Sequence, residues 1–519
     1  MSHQQPESGS ATLRSEVRLV FALVLSVFFL VSSGVDTSEG RYHYMIAHQI
    51  WSEGSLSFAE ARKGTFTVAP NGRTYASHEI GNTLFMLPVA GLNIVLEKAL
   101  AHRQGGRKLE YATGFLVTLM PAIYCALTAA LLYVLLRLFF LKSITAALCG
   151  SLAFAFCSFV SNYSRIAFDG VLCMTLLAGA MLSMMQFRRT MDTRLFLLAT
   201  TLLGFGVITR LTMVLALVAF GAYLTTVFWR DRTRLIRLAL IAAVALTPFA
   251  AWQTYYNHLR TGLWLVAPVT SAQYAANNSL TGDLAVGLVG QLFSPGKSIF
   301  VYVPLALVSV VCFRRFTAWY PSEAVFVAVL SGLWLLLHAK LANWFGAWGW
   351  GLRYFVTITP VLVLPACVAW EWMMENVWRR RLLLCALTWG AVLSVASIIG
   401  NWSYRMRLAN SLGGDQATDY ELNWSPAKGQ AVDMIVSSAS NVRNLFLGVS
   451  GPNLPEHSAV SDYASTTINV WINSAAYMGV PRVLLAGAGF GLIAVAGYSL
   501  FALRSINLRT LRVERHDAA

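Results

Sequence analysis

Charged residues are scarce in this sequence. Asp, Glu, Lys and Arg make up only 12% of its 519 residues, whereas hydrophobic residues make up 56% and the mean hydropathy is +0.58. Soluble globular domains are about 25% charged, so this composition excludes a soluble fold. Apolar runs of roughly 20 residues, long enough to cross a bilayer, recur along the chain. We therefore predict an all-α polytopic membrane protein.

Cysteine pairing is also missing. All seven cysteines fall inside apolar runs, the long polar segments contain none, and no CxxC pair exists. This pattern supports neither a disulfide framework nor a cysteine-based zinc site. Buried cysteine that packs as a small hydrophobic side chain is the simpler interpretation.

Acidic residues are fewer than basic ones, which gives a formal net charge of +15. The basic residues occur in short clusters between apolar runs, such as Arg188-Arg189, Arg314-Arg315 and Arg379 to Arg381. Clusters of this kind are typical of cytoplasmic turns, and one orientation, with the N-terminus in the cytoplasm, places all of them inside. The charge therefore indicates a lipid bilayer as partner and no nucleic acid.

Twelve apolar runs predict a bundle of about 12 transmembrane helices. They lie near residues 17–35, 112–136, 143–161, 169–187, 194–209, 211–229, 236–256, 297–313, 321–341, 354–373, 382–401 and 476–502. No small-residue cleavage site follows the first run, which is therefore interpreted as a retained span. The run from Gly81 to Leu100 is interrupted by Pro88 and Glu97. Counting it as a span would reverse the later basic clusters, so we interpret it as a helix in the membrane interface.

The predicted spans divide the chain into three parts. Residues 1–401 are predicted to form a transmembrane core whose first outer loop is 36–111, residues 402–475 an outer-face segment, and residues 476–519 the last helix and a basic cytoplasmic tail. Within the first outer loop, Tyr42, Met45, Ile46 and Ile50 recur at helical spacing. This spacing predicts an amphipathic helix on the membrane surface.

Ionisable residues near the predicted outer surface are the candidates for chemistry, because charges close to a bilayer are costly to desolvate and usually functional. The first apolar run ends abruptly at Asp36, and further polar residues follow in the outer turns. These candidates are Asp36, Glu39, Arg41, Tyr42, His78, Glu79, Tyr163, Arg165, Asp169, Arg210, Trp348, Arg353 and Tyr354. Carboxylates and arginines that share one face suit a phosphate-bearing substrate and a divalent ion.

Each candidate also has a purely structural alternative. The alternatives are a helix cap for Asp36 and Asp169, a surface ion pair with Arg73 or His78 for Glu79, a snorkelling span end for Arg210, and an aromatic interface belt for Trp344 to Trp350. No single residue decides between these roles and chemistry. The shared face of the bundle is what favours chemistry.

Several short motifs, in this order and spacing, resemble the GT-C superfamily of membrane glycosyltransferases, in particular protein O-mannosyltransferases and aminoarabinose transferases. The motifs are Asp36 to Tyr42, His78 to Asn82 with Pro88, Asn162 to Arg165 with Asp169, Gly206 to Arg210, Tyr256 to Gly262, Leu292 to Lys297, and Trp348 to Tyr354. The resemblance covers roughly residues 17 to 400, with one departure: Leu352 stands where many relatives carry proline. It implies a GT-C type bundle.

The resemblance also implies a reaction. Such enzymes are inverting and move a sugar, a hexose or a pentose, from a polyprenyl-phosphate donor to an acceptor hydroxyl of a glycan, lipid or protein. The active site would lie on the outer face of a bacterial inner membrane. A transporter or flippase of lipid-linked sugars, which needs no base, and a catalytically inactive scaffold of the same fold are the alternatives.

Roles for the candidate residues follow from this chemistry. Asp36 is the candidate general base, with Glu79 and Asp169 as further catalytic carboxylates. Arg353, Arg210 and Arg165 are the candidates for the donor phosphate, because fixed cations stabilise the charge that develops on it. The substrate-binding candidates are Glu39, Arg41, Tyr42, His78, Tyr163, Trp348 and Tyr354. Glu79 and His78 are candidate ligands for Mg or Mn, and His78 would also permit zinc.

A conservative substitution tests the predicted base. Asp36→Asn keeps the size and most of the capping capacity of the side chain but cannot accept a proton. Removing a general base typically lowers the rate about 100- to 10,000-fold, whereas losing a helix cap costs about 1 kcal/mol of stability. We expect the purified variant to fold and bind donor but to transfer sugar at a small fraction of the wild-type rate. Retention of more than about a tenth of that rate would identify Asp36 as a cap.

Overall fold

The computed structural model describes residues 7–34, 39–60, 66–100, 106–268, 279–346, 349–402, 424, 429–448 and 466–517. Within these residues the architecture is almost entirely helical. In the first 168 residues the helices are α1 (Glu7–Val31), α2 (Gly40–Glu53), α3 (Gly81–Leu100), α4 (Gly106–Val134), α5 (Ile144–Phe156) and α6 (Val160–Tyr163). A π-helical turn, Leu135–Phe139, continues α4.

The middle of the chain supplies most of the bundle. Its helices are α7 (Asp169–Thr190), α8 (Thr193–Thr209), α9 (Val214–Phe228), α10 (Arg232–Thr261), α11 (Leu284–Phe293), α12 (Ile299–Tyr302), α13 (Pro304–Trp319) and α14 (Pro321–Ala339). Short polar side chains begin several of them. Asp192, Asp231 and Asp283 each accept a hydrogen bond from a first-turn amide of the helix that follows. Such caps satisfy donors that would otherwise be unpaired.

The last part of the described chain begins with a 3₁₀ helix, Arg353–Val356. The helices that follow are α15 (Thr359–Val368), α16 (Trp370–Glu375), α17 (Val377–Ile399), α18 (Gln430–Leu447), α19 (Trp471–Tyr477) and α20 (Arg482–Asp517). The run predicted at 354–373 is thus divided into three short helices. The predicted basic tail does not stand apart from the last span, because α20 runs through it without a break.

The prediction of an all-α polytopic membrane protein is confirmed. In the described residues, seven helices are long and apolar enough to cross a membrane: Gly114–Phe139, Asp169–Thr190, Leu211–Phe228, Arg232–Thr261, Pro321–Ala339, Val377–Ile399 and Arg482–Leu508. Four shorter apolar helices, α5, α8, α11 and α15, accompany them. A helix overlaps each of the twelve predicted runs, but the crossing of the membrane by all twelve stays a prediction.

Glycines set the closest approaches between helices. A Cβ on Gly390 of α17 would lie 2.1 Å from the carbonyl oxygen of Cys157, and a Cβ on Gly287 of α11 would lie 2.1 Å from that of Ala339. No side chain fits there, so the backbones touch directly. Small residues at helix contacts are typical of membrane bundles, where close packing replaces the hydrophobic driving force.

The described residues between α1 and α4 form a compact unit on the bundle. Helix α2 is amphipathic as predicted, and it buries His43, Ile46 and Ala47. Three short antiparallel strands, β1 (Ser57–Phe58), β2 (Phe66–Val68) and β3 (Thr74–Ala76), lie in the order β1-β3-β2. The sequence did not reveal this sheet, because strands of two or three residues are too short for an alternating pattern to appear.

Candidate functional site

Three buried or half-buried side chains meet where the first outer loop touches the bundle. His43 comes from α2, His78 follows β3, and Asp169 is the first residue of α7. His43 Nε2 lies 2.8 Å from Asp169 Oδ1. One ligand atom from each of the three side chains lies within 4.8 Å of the other two. Elements far apart in sequence therefore converge on one point.

Neighbouring polar groups orient this cluster. Asn82 donates a hydrogen bond from Nδ2 to Asp169 Oδ1 at 2.9 Å, and Thr83 Oγ1 lies 3.0 Å from His43 Nδ1. Both come from the first turn of α3. Groups of this kind fix the ring orientation and tautomer of a histidine ligand. The first turn of α3 therefore holds both His43 and Asp169.

The pKa values of the two imidazoles are shifted in opposite directions. Burial acts to lower the pKa of His43, but the adjacent Asp169 carboxylate, together with Glu39 and Glu79, outweighs burial and raises it. Burial lowers the pKa of His78, and the nearby acidic groups do not reverse the shift. His78 therefore favours the neutral form, which is the form that binds a metal ion. Its buried Nε2 has no hydrogen-bond partner among the described residues.

The donor set of the cluster fits a divalent ion. Two imidazole nitrogens with one carboxylate oxygen suit zinc or manganese better than magnesium, which prefers an all-oxygen shell. The sequence identified His78 and Asp169 as site residues but missed His43. The signal was present: His43 precedes the buried Ile46 and Ala47 by three and four residues, so it lies on the buried face of α2.

Glu79, the other predicted ligand, lies in a different network. Its Oε2 accepts hydrogen bonds from Arg260 Nη2 at 3.1 Å and from Gln253 Nε2 at 2.6 Å. The structure thus gathers His78 with His43 and Asp169 rather than with Glu79. The reason is that the fully buried Arg260 needs a carboxylate nearby, since an unpaired buried charge is very costly.

Arg260 also holds the backbone that carries His78. Its Nη1 donates to the carbonyl oxygens of Ser77 at 2.9 Å and His78 at 3.0 Å. Its Nη2 also donates to Asn257 Oδ1 at 2.8 Å. One side chain at the end of α10 therefore ties down the segment between β3 and α3.

Two of the predicted phosphate-binding arginines flank one ring. The guanidinium groups of Arg210 and Arg353 each lie 5.6 Å from the centre of the Tyr354 ring. Arg353 also pairs with Glu39, whose Oε1 lies 3.1 Å from Arg353 Nη1. Burial acts to lower the pKa of Arg353, but Glu39 together with Tyr354 and Tyr163 outweighs burial and raises it, so Arg353 stays charged.

Arg210 lies beside the start of α7, close to the histidine and aspartate cluster. A Cβ on Gly170 would be 3.3 Å from Arg210 Nη1, and Gly170 directly follows Asp169. The positive charge of Arg210 therefore stands next to the carboxylate of the cluster. The candidate site is thus continuous, with imidazoles and Asp169 on one side and two arginines on the other.

The segment before Arg353 is fastened by three side chains. Lys297 Nζ donates to the carbonyl oxygens of Gly349 at 2.8 Å and Gly351 at 3.3 Å. Tyr163 donates from its hydroxyl to the carbonyl oxygen of Trp350 at 2.8 Å. Gln430 accepts from the Gly351 amide at 3.2 Å. Tyr163, predicted to bind substrate, is fully buried and positions this segment instead of facing an open site.

Gly351 itself requires glycine. Its φ of +55° is in the left-handed region, and a Cβ there would lie 2.6 Å from the Tyr302 ring. The turn therefore presents Arg353 in one orientation.

The third predicted arginine, Arg165, lies elsewhere. It is 4% exposed, and its Nη1 donates to the carbonyl oxygens of Ser397 at 2.9 Å and Ile398 at 3.2 Å. Its Nη2 donates to the carbonyl oxygen of Asn469. Burial lowers the pKa of Arg165 to about 9. The structure thus places Arg165 where it joins the end of α17 to the segment before α19, and not beside Arg210 and Arg353.

The remaining predicted residues differ in placement. Tyr42 stacks against His78 with ring centres 6.2 Å apart, so it borders the cluster. Arg41 is exposed on the outer side of α2. Asp36 and Trp348 lie outside the described residues.

Known proteins share features with this chain. Residues 104–254 match the family model described as dolichyl-phosphate-mannose-protein mannosyltransferase. This match includes Asp169 and Arg210 but neither the histidines of the cluster nor Arg353. The predicted resemblance to protein O-mannosyltransferases of the GT-C type is thereby confirmed for this part of the chain.

Two solved structures of an oligosaccharyltransferase from Archaeoglobus fulgidus are similar in fold. One is AglB in complex with an inhibitory peptide and a dolichol-phosphate, with 12% identity and a TM-score of 0.46. The other is the apo form, with 12% identity and a TM-score of 0.45. Each match covers 83% of this chain but only 61% of the oligosaccharyltransferase. No curated protein matches the chain.

The placement of Arg165 leads to a prediction about stability. Arg165→Met keeps the length of the side chain but leaves buried carbonyl oxygens without donors, at about 1–3 kcal/mol each. We expect a clearly lower unfolding temperature in detergent, whereas donor affinity of the folded fraction stays unchanged. Arg41→Met, at an exposed position, is the matched control. Full stability combined with weakened donor binding would instead restore Arg165 to the phosphate site.

Proposed function

We propose that this protein transfers a sugar from a polyprenyl-phosphate donor to an acceptor hydroxyl, with inversion, on the outer face of the membrane. One observation carries the proposal: the cluster of His43, His78 and Asp169 stands beside two arginines that flank Tyr354. Cationic and metal-binding groups together suit a phosphate that leaves as an anion. The match to the dolichyl-phosphate-mannose family model supports a lipid phosphate as the donor.

The arginines would act on the leaving group. As the bond between the anomeric carbon and the phosphate oxygen breaks, its electron pair moves to the phosphate. Arg353 and Arg210 stabilise that charge, since both guanidinium groups are already in place and need no reorganisation during the reaction. Glu39 holds Arg353 ready, at 3.1 Å. A divalent ion held by His43, His78 and Asp169 would supply further Lewis-acid stabilisation of the same charge.

The acceptor would approach from the opposite face of the sugar. Its hydroxyl oxygen forms the new bond to the anomeric carbon while a carboxylate takes the hydroxyl proton, and attack from that side inverts the anomeric configuration. Asp36 remains the proposed base. Glu79 is engaged by Arg260 and Gln253, which suits a positioning role for Glu79 more than proton transfer. The bilayer would supply the lipid donor laterally, and a hexose or a pentose would fit this scheme equally.

The metal-binding part of the proposal can be tested without any assay of activity. We expect His43→Ala to weaken Mn²⁺ binding by at least about tenfold, a loss that is typical of even outer-shell changes. Electron paramagnetic resonance of free and bound Mn²⁺ with purified protein measures this. His48→Ala is the matched control, because His48 lies on the same helix but pairs with Glu97 away from the cluster. Equal affinities in the two variants would contradict the site.

Sugar transfer itself is tested with defined donors. Purified protein incubated with polyprenyl-phosphate hexoses and pentoses should release polyprenyl phosphate from at least one of them. In Arg353→Lys the charge is kept but the bidentate fork is lost, so we expect a higher KM for the donor and a lower kcat at unchanged stability. Arg194→Lys, at an exposed position outside the candidate site, should behave as wild type. Movement of the lipid across vesicles without sugar release would favour the flippase alternative.

A further inference from the structure

A cleft lined by charged and aromatic residues lies at the far end of α7 from the candidate site. Its volume is about 400 Å³. The residues that line it are Phe139, Arg188, Arg189, Trp319, Tyr320, Pro321 and Glu323. They come from the end of the π-helical turn after α4, the last turn of α7, and the junction between α13 and α14. None of them takes part in the site described above.

The position of the cleft along the helices places it at a membrane surface. Three of the candidate spans, Gly114–Phe139, Asp169–Thr190 and Pro321–Ala339, all have an end there. At about 1.5 Å per residue, α7 separates the cleft from Asp169 by roughly 30 Å, which is the thickness of a hydrocarbon core. The cleft therefore lies at headgroup depth on the membrane surface opposite the candidate site. By the basic clusters, that is the predicted cytoplasmic surface.

The charges in the cleft do not cancel. Arg188 is paired with the buried Glu323, whose Oε1 also accepts from the Tyr223 hydroxyl at 3.3 Å. Arg189 donates instead to the carbonyl oxygens of Leu138 and Phe139, which carry no net charge. No carboxylate forms an ion pair with Arg189 within the part of the chain that the structure describes. One guanidinium in the cleft thus keeps its positive charge.

Two more cations stand at the mouth. The guanidinium of Arg315 lies 4.7 Å from the centre of the Trp319 ring, and Lys142 Nζ lies 5.4 Å from it. Lys142 is paired with Glu371, whereas Arg315 is exposed. An indole at the membrane surface with basic side chains around it is the usual environment of lipid headgroups. Phe139 and Pro321 add apolar lining on which the glycerol and upper acyl chain can pack.

We propose that this cleft binds the phosphodiester headgroup of an anionic phospholipid in the leaflet opposite the candidate site. Arg189 and Arg315 provide the attraction for the phosphate, because a guanidinium matches its oxygens in geometry and charge. The ring of Trp319 and the apolar lining favour a lipid over a free phosphate. This lipid would bind at the opposite end of α7 from the proposed sugar donor. The proposal therefore does not depend on sugar transfer.

Native mass spectrometry of the full-length protein released from nanodiscs tests the proposal. In discs of equal parts phosphatidylglycerol and phosphatidylcholine, we expect phosphatidylglycerol to be retained preferentially by the wild type. Arg189→Gln and Arg315→Gln should each lower that retention about fivefold, the effect expected of one basic side chain near a membrane surface. Arg380→Gln removes an exposed charge from the same basic surface outside the cleft and should retain the lipid as wild type does.

Several results would overturn the proposal. Equal retention of the two lipids by the wild type excludes an anionic site. Equal loss in Arg380→Gln shows only a diffuse surface attraction. Displacement of the lipid by soluble glycerol 3-phosphate assigns the cleft to a free phosphate instead. Arg189 also donates hydrogen bonds to backbone carbonyl groups, so its variant could unfold locally. Arg315→Gln removes no hydrogen bond to the backbone. It is therefore the decisive variant, provided that its unfolding temperature is unchanged. Lipid retention equal to wild type in Arg315→Gln would contradict the assignment of this cleft to a phospholipid.

Discussion

The contact between His43 and Asp169 is the interaction on which the candidate site depends. It joins the first outer loop to the first residue of α7, and both side chains are buried. A buried carboxylate needs a partner, because leaving it unpaired costs far more than an exposed ion pair gains. The loop therefore has to dock in one position against the bundle. That position brings His78 to the same point and leaves Arg210 beside it.

Several buried cations have the same structural role, which is to donate hydrogen bonds to backbone carbonyl groups. Arg260, Lys297 and Arg165 are each at most 4% exposed, and each donates to a carbonyl oxygen outside the helices. Loop carbonyls near a membrane cannot rely on water for hydrogen bonds, so a charged donor satisfies several of them at once. Carbonyl groups of the segments before α3 and before the 3₁₀ helix are satisfied in this way.

The comparison of predicted and observed residues separates two kinds of signal. The apolar runs and the helical spacing of α2 were readable because burial imposes periodicity on many residues at once. The roles of Glu79, Tyr163 and Arg165 were not readable, since a polar residue next to a span has the same pattern whether it binds a ligand or a backbone carbonyl. His43 was missed for the related reason that a histidine on a buried helix face differs from its apolar neighbours only in chemistry, and its partner lies more than a hundred residues away.

The sequence by itself determined that this is a polytopic helical membrane protein, because the length and polarity of each run decide whether it can be solvated by lipid. It also carried the GT-C resemblance. Only the tertiary structure decided which polar residues meet. Which residues pair across long separations in sequence depends on how α2, α3 and α7 pack. Arg260 pairs with Glu79, for example, because each buried charge needs a compensating partner and the packing brings these two within reach.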